Sequence, residues 1–200
     1  MNGSQQIPLI LASGSPRRRE LLEQIDFEFE VIVSRVNEDF SINLPPSEFA
    51  RYYARAKALK VARSRPDHLV IGADTIVVLD GDILGKPKNK TGSLQMLKRL
   101  SGRSHKVITG LSLQGINQGI SETFHTETLV SFKKLTKADI SYYINRYQPF
   151  DKAGSYGIQD WFAVCVEKID GCFYNVMGFP LSAFYKRFKA INKNWVWKNI

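Results

Sequence analysis

The stretch from Leu69 to Leu84, LVIGADTIVVLDGDIL, constrains the fold more than any other part of the chain. Its opening run, Leu69 to Ile71, is too short for a globular helix and β-branched enough for a strand. Gly72 and Ala73 then leave room for other backbone to approach, just before a carboxylate, Asp74, at the end of the run. An acid at the tip of a buried strand is placed for chemistry, and equally for accepting local backbone hydrogen bonds. Downstream, Ile76 to Leu79, Asp80-Gly81 and Ile83-Leu84 form a hairpin pattern that delivers the chain to Gly85-Lys86-Pro87. Asp74 and Lys86 therefore sit on opposite arms of one hairpin, and a carboxylate and an ammonium face the same edge of the sheet.

At 200 residues with 44% hydrophobic content, the chain can bury a substantial core as one domain or as two lobes sharing a cleft. The run Ile7 to Ala12 lacks a basic leader and continues into Ser-Gly-Ser-Pro-Arg-Arg-Arg, which fits neither a signal peptide nor a membrane span. The two cysteines, Cys165 and Cys172, flank a turn pattern at Asp170-Gly171 and differ in strand parity. They are expected on opposite faces of a hairpin, as thiols of a reduced, cytoplasmic protein. The formal charge is +9, and Lys186 to Ile200 carries five basic groups and no acid. Such a tail reads as a solvated helix end or as a patch for nucleic acid or a membrane surface, and it says nothing about an active site.

In chain order, a strand over Ile7 to Leu11 runs through the small residues 12–15 into a helix from Pro16 to about Ile25, with Ser15 as N-cap. Free backbone N–H groups at such a helix start suit a phosphate, although neither the GxxxxGK[ST] nor the GxGxxG pattern is present. Arg18 shares the inward arc with Leu21, Leu22 and Ile25, with Arg17 on its flank. A guanidinium there needs a bound anion, an internal acid such as Glu38, or a route to solvent. A second strand, about Phe29 to Val33, leads into a polar loop over 34–39. The next helix, Glu48 to about Arg63, presents Phe49, Tyr52, Tyr53, Ala56, Leu59 and Lys60 on one face. Lys57 is on the border of that face, either at the lip of a cleft or as one basic residue among several. Thr91 is expected to cap a helix, His105 to Leu113 and Ile120 to Phe132 to be strands, and Thr136 to cap a helix ending near Tyr147. A glycine-punctuated loop, 148–159, holds Asp151, Lys152 and Gln159. Strands over Phe162 to Ile169 and Cys172 to Met177, then a helix from Leu181 to Ile191, complete a mixed α/β pattern. His68, His105 and His125 lack metal-ligand spacing, which argues against a zinc site or a His-based nucleophile.

The polar groups that remain are Arg17, Arg18, Lys57, Lys86 and Lys152 as cations, with Glu38, Asp74 and Asp151 as acids. Cations in excess around hard oxygen ligands suit a polyphosphate held partly by a divalent metal and attacked by water. The segment Leu11 to Leu22, LASGSPRRRELL, resembles the N-terminal signature of the Maf family of nucleoside triphosphate pyrophosphatases. Ala56 to Ala58, Gly72 to Thr75, Gly85 to Pro87, Leu100 to Arg103 with His105, Thr109-Gly110, Asp151 to Gly154, Gly157 to Gln159 and Asn175 to Pro180 resemble its remaining blocks, in order.

The resemblance implies an α/β fold with a mixed twisted sheet flanked by helices, two lobes around a deep cleft, and a single domain over 1–200 with a basic C-terminal tail. It also implies a cytoplasmic enzyme, commonly a homodimer, acting on a nucleoside triphosphate with Mg²⁺ or Mn²⁺, and independent of membrane and nucleic acid. In the matching blocks Asp74 corresponds to the catalytic proton acceptor and Glu38 to its acidic partner, both near the metal. Ser13, Ser15, Arg18, Lys57, Lys86 and Lys152 correspond to positions that hold phosphates. Arg17, Thr75 and Gln159 resemble the dTTP/UTP type, whereas members preferring 7-methyl-GTP differ at these positions. Asp160-Trp161 follows Gln159 where the family more often has small residues, which bears on the width of the base pocket. Family members are also linked to arrest of cell division, which leaves a basic nucleotide-binding or nucleic-acid-binding protein as the alternative to an enzyme.

Overall fold

The computed structural model describes residues 7–192, so most of the basic tail, from residue 193 onward, lies outside the described residues. A short buried strand, β1 (Leu9–Leu11), leads through residues 12–15 into α1 (Pro16–Glu23), with Ser15 at the N-cap and Pro16 in the first turn. The second strand is shorter than its apolar residues suggest: β2 (Glu30–Val31) is an exposed edge pairing only with β1. Residues 32–45 carry no regular secondary structure before α2 (Pro46–Ala62).

The run from Leu69 does not stop at Asp74. Strand β3 (Leu69–Leu79) continues through it because the neighbouring strand pairs with residues 70–78 without a break. Asp74 is therefore mid-strand and buried, which corrects the strand-tip expectation. The turn at Asp80-Gly81, both at positive φ, returns the chain as β4 (Asp82–Leu84), as the hairpin pattern predicts. Helix α3 (Lys90–Leu100) is capped by Asn89, whose side chain accepts from the Gly92 N–H, and not by Thr91. The long strands β5 (Ser104–Gly115) and β6 (Ile120–Phe132) follow, then α4 (Lys137–Tyr147) with a capping box of Thr136 and Asp139.

The expected strand from Phe162 is in its first part a 3₁₀ turn, Trp161–Cys165, and only Val166–Asp170 pairs with the sheet as β7. Cys172 to Met177 is not a strand either. It contains the short helix α5 (Phe173–Val176), whose Asn175 donates to the Val107 carbonyl and to Thr128 Oγ1, so the segment packs across the sheet and adds nothing to its edge. Cys165 and Cys172 are free thiols on these two turns and do not sit on a hairpin. Helix α6 (Leu181–Ile191) has the predicted bounds.

The sheet order is β2-β1-β3-β5-β6-β7, with β4 also on β3. β1 runs parallel to both of its neighbours, and the other pairs are antiparallel. Alternate side chains of β3 face opposite layers. On one side Val70, Ile76 and Val78 pack beneath α2. That helix buries Ala50, Ala54 and Ala58 together with Phe49, Tyr53 and Val61, while Tyr52 and Lys60 are exposed, so its inner face is rotated from the one expected. Close approach causes the rotation. A Cβ on Gly72 would come within 2.3 Å of the Ala54 carbonyl oxygen, and one on Gly110 within 2.2 Å of that of Ala50. Where the helix crosses these two glycines, only small side chains fit between it and the sheet.

On the other side there are two clusters. Leu69, Ile71 and Ala73 join α1 and α6 through Leu21, Leu22, Phe184 and Phe188. Val77 and Leu79 join α3 and α4 through Leu97, Leu100, Ile140 and Tyr143. Thr75 lies between them on the strand. No helix among the described residues is long and apolar enough to cross a membrane.

Candidate active site

The edge of β3 that faces β1 and β4 is interrupted. β1 pairs with residues 69–71 and β4 with residues 77–79, and the two strands run toward each other from opposite ends. Between them the edge around Asp74 and Thr75 is open to a cavity of about 450 Å³, a volume suited to a nucleotide-sized ligand. The chain leaving β1 brings Ser13, Ser15, Arg17 and Arg18 to this gap, and the chain leaving β4 brings Lys86. Glu38 arrives on the irregular 32–45 segment, Lys57 on α2, and Lys152 and Gln159 on the loop after α4. Every site residue proposed from the sequence thus lines one cavity, although their interactions differ in kind.

On the α2 side, Lys57 Nζ lies 2.6 Å from Glu38 Oε1 and 2.6 Å from Asp74 Oδ1. The sequence placed this lysine on the border of its helix face. The rotated face points it at the sheet, with its side chain only 13% exposed. Asp74 Oδ2 is buried without a hydrogen-bond partner. Burial pushes the Asp74 carboxyl above its ordinary pKa, Lys57 partly offsets this, and the Glu38 charge adds to the rise. Glu38 moves the other way: burial acts to raise it, but the charge and hydrogen bond of Lys57, with Lys86 beyond, hold it below its usual range. One ammonium therefore serves two carboxylates, and the deeper one is left with an open acceptor.

On the opposite side of β3, Arg18 lines the cavity and turns most of its guanidinium donors to the protein itself. Nε donates to the Gly178 carbonyl (3.0 Å), Nη1 to Ser13 Oγ (3.1 Å) and to the Ala73 carbonyl (2.9 Å), and Nη2 to Thr75 Oγ1 (3.0 Å). Four of its five N–H groups thus end on neutral oxygens of the protein, and Glu38 is not among its hydrogen-bond partners. Burial lowers its pKa, with Asp74 opposing, and neutral oxygens take up its hydrogen bonds. Thr75 Oγ1 is 3.0 Å from Thr109 Oγ1, and Thr109 donates to the Asn175 carbonyl at 3.1 Å. With the Thr109 proton so used, Thr75 is the donor between the two threonines. The Thr75 hydroxyl thus has its proton committed within the protein.

Thr109, Asn175 and Gly178 were not singled out from the residues, since bonds to partners 66 and 160 positions away leave no local pattern. At the mouth, Asp151 joins Arg17 (3.5 Å) and Lys152 (2.9 Å), and Gln159 is exposed. Among the described residues no group of three or more His, Cys, Asp or Glu side chains could hold a metal ion. Glu38 and Asp74 remain as two hard-oxygen donors. That set fits Mg²⁺ or Mn²⁺ when substrate phosphates complete the shell, and the open Asp74 Oδ2 is the oxygen with capacity to spare.

The chain is 47% identical over 184 residues to the dTTP/UTP pyrophosphatase of Bacillus velezensis, covering 92% of this chain and 96% of that protein. It is 47% identical over 183 residues to the dTTP/UTP pyrophosphatase of Halalkalibacterium halodurans, covering 92% and 95% respectively. Among solved structures, the Ham1 protein of Staphylococcus aureus overlaps 62% of this chain and 71% of its own at 15% identity, with a TM-score of 0.46. The family described as Maf-like protein matches residues 8–191, from before β1 to the last residue of α6, and the chain belongs to the Maf family.

Proposed function

We propose that this chain cleaves the α–β phosphoanhydride bond of dTTP and UTP, releasing nucleoside monophosphate and pyrophosphate. The observation that carries the reading is the pairing of a buried carboxylate, Asp74, with one ammonium at Oδ1 and with nothing at Oδ2. Water attacks the α phosphorus as the bond to the bridging oxygen breaks, Asp74 accepts the water's proton, and pyrophosphate departs with the bonding electrons. A carboxyl raised by burial is the stronger base once ionised, and general-base placement is typically worth about 10²–10⁴ in rate.

Lys57 orients Asp74 and balances its charge, and Glu38 completes the pair. Glu38 and Asp74 are the protein groups that would hold Mg²⁺ or Mn²⁺, which when bound neutralises phosphate charge and polarises the phosphoryl oxygens. Ser13, Ser15, Lys86 and Lys152 bind the phosphate chain, with Arg17 near them, and Arg18 contributes by fixing Ser13. Gln159 meets the carbonyl and N–H edge of uracil or thymine with its own amide, a role in keeping with the dTTP/UTP pyrophosphatase activity of the two relatives. A single functional unit over 1–200, acting as a cytoplasmic homodimer with no nucleic-acid partner, belongs to the same reading.

Chromatography of the first products from dTTP and UTP, with metal supplied, tests it. Pyrophosphate is the expected inorganic product. Orthophosphate as the sole initial inorganic product would overturn the reading.

A further inference from the structure

Asp160 and Trp161, the two residues that depart from the family's usual small ones, are not among those lining the cavity. Asp160 turns away into the cluster under α4. Its Oδ2 accepts from the Tyr143 hydroxyl at 3.0 Å, and its Oδ1 accepts from the Phe162 N–H at 3.0 Å. The same Tyr143 oxygen accepts from the Gly157 N–H at 3.0 Å. One hydroxyl therefore ties down the two residues that bracket Ile158 and Gln159.

The surroundings make this oxygen a fixed point. Tyr143 is fully buried on α4, with its ring against Phe162, Tyr147 and the indole of Trp161. Burial, with the Asp160 carboxylate beside it, pushes the phenol well above its ordinary pKa, so it stays a donor to Asp160. Gly157 is held tightly as well: a Cβ there would meet Asp160 Oδ2 at 2.8 Å and Lys152 Cε at 2.9 Å. Ile158 packs into the other cluster, with Ala73 and Phe179. The segment thus has its two ends bonded to Tyr143 in one cluster and its middle packed into the other, with Gln159 as the exposed residue over the cavity.

We propose that Tyr143 is a positioning residue for base recognition, holding Gly157 and Asp160 at a fixed separation so that Gln159 presents its amide at one place. The inference rests on the pyrimidine reading above. Trp161 and Asp160 then serve the base pocket from behind, and do not narrow it.

The test compares kcat and KM for dTTP, UTP, CTP and GTP in the parent, Tyr143→Phe and Asp160→Asn, with metal supplied. Tyr143→Phe keeps the ring and removes the hydroxyl. The expected result is a fall of about tenfold in the UTP-to-CTP ratio of kcat/KM, carried by KM, with turnover at saturating UTP within about threefold of the parent. Asp160→Asn, which disturbs one of the two bonds, shifts the ratio in the same direction by less. Ile140→Val removes a methylene from the same buried cluster on α4 without touching the hydroxyl, and is expected to leave the ratio unchanged. A parent that discriminates and a Tyr143→Phe protein that discriminates equally would overturn this inference alone, as would an equal loss of selectivity in Ile140→Val. A parent with no base preference would overturn the pyrimidine reading first, and this inference with it, because no selection would then remain to be positioned.

Discussion

Asp74 and Thr75 are neighbours in sequence, yet strand geometry sends their side chains to opposite faces of β3, and the two faces are built differently. Beneath α2 the contacts are between full charges: Lys57 bridges Glu38 and Asp74, and one carboxylate oxygen is left open. Between the two clusters of the other face the charge at the strand is Arg18, and its hydrogen bonds end on carbonyls and hydroxyls, in a relay from Arg18 through Thr75 and Thr109 to the Asn175 carbonyl. A reactive group must keep an unfilled valence toward its substrate. A frame turns its bonds inward, as Arg18, Thr75 and Thr109 do here, because an unmet buried polar group costs about 1–3 kcal/mol. The interrupted strand edge opens both faces to one cavity, and under the proposed function chemistry and recognition are one residue apart and can be perturbed separately.

The largest effect is expected on the charged face. Asp74→Asn keeps the size, leaves Lys57 paired with Glu38, and removes the proton acceptor. Turnover should fall by about 10²–10⁴ at saturating metal and substrate, with no loss of stability, since a buried charge is removed. Steady-state kinetics beside a urea titration measures both. Near-parent turnover would mean that the open oxygen is not the base, and the contrast between the faces would lose its chemical meaning.

The neutral face should reveal itself in acid. His105 on β5 is buried against Phe132 and Tyr156, with Nε2 2.8 Å from the Tyr156 hydroxyl and Nδ1 without a partner. Burial lowers its pKa from 6.5 to about 4. The unfolded chain therefore takes up a proton that the folded chain refuses, and stability falls as pH drops through that window, by about 3 kcal/mol in all. Urea denaturation at several pH values between 7.5 and 4 measures the slope, and His105→Gln should remove this part of it. An unchanged slope in the variant would move the origin of acid sensitivity to the carboxylates of the other face.

What could be read beforehand was whatever local chemistry dictates: the hairpin around Asp80-Gly81, the capping box at Thr136, the bounds of α6, and the collection of cations and acids that line the cavity. What escaped depended on partners far along the chain. The face of α2 was misjudged because aromatic Tyr52 and the long Lys60 outweighed three alanines, when glycines on two strands of the sheet were what admitted the alanines. Asp74 closes the first apolar run in sequence, yet a continuous ladder with β5 carries the strand past it. Arg18 falls on the inward arc of its helix, but its acceptors leave no local pattern, because the Ala73 carbonyl lies on β3 and the Gly178 carbonyl follows α5.

The smallest effect expected on activity, and the one that tests the separation most directly, is at Thr75. Thr75→Val preserves shape and removes the hydroxyl that accepts from Arg18 and donates to Thr109. One guanidinium N–H then loses its acceptor and Thr109 loses a donor, so the frame between the two clusters loosens while the Lys57 triad on the other face is untouched. The expected result is a rise in KM for dTTP and UTP that lowers kcat/KM by about tenfold, roughly 1.4 kcal/mol, with kcat close to the parent. Thr75→Ser, which restores the hydroxyl, should recover most of the loss. If Thr75→Val instead depressed kcat as strongly as Asp74→Asn, the two side chains would be acting on one step, and the strand would not divide recognition from chemistry.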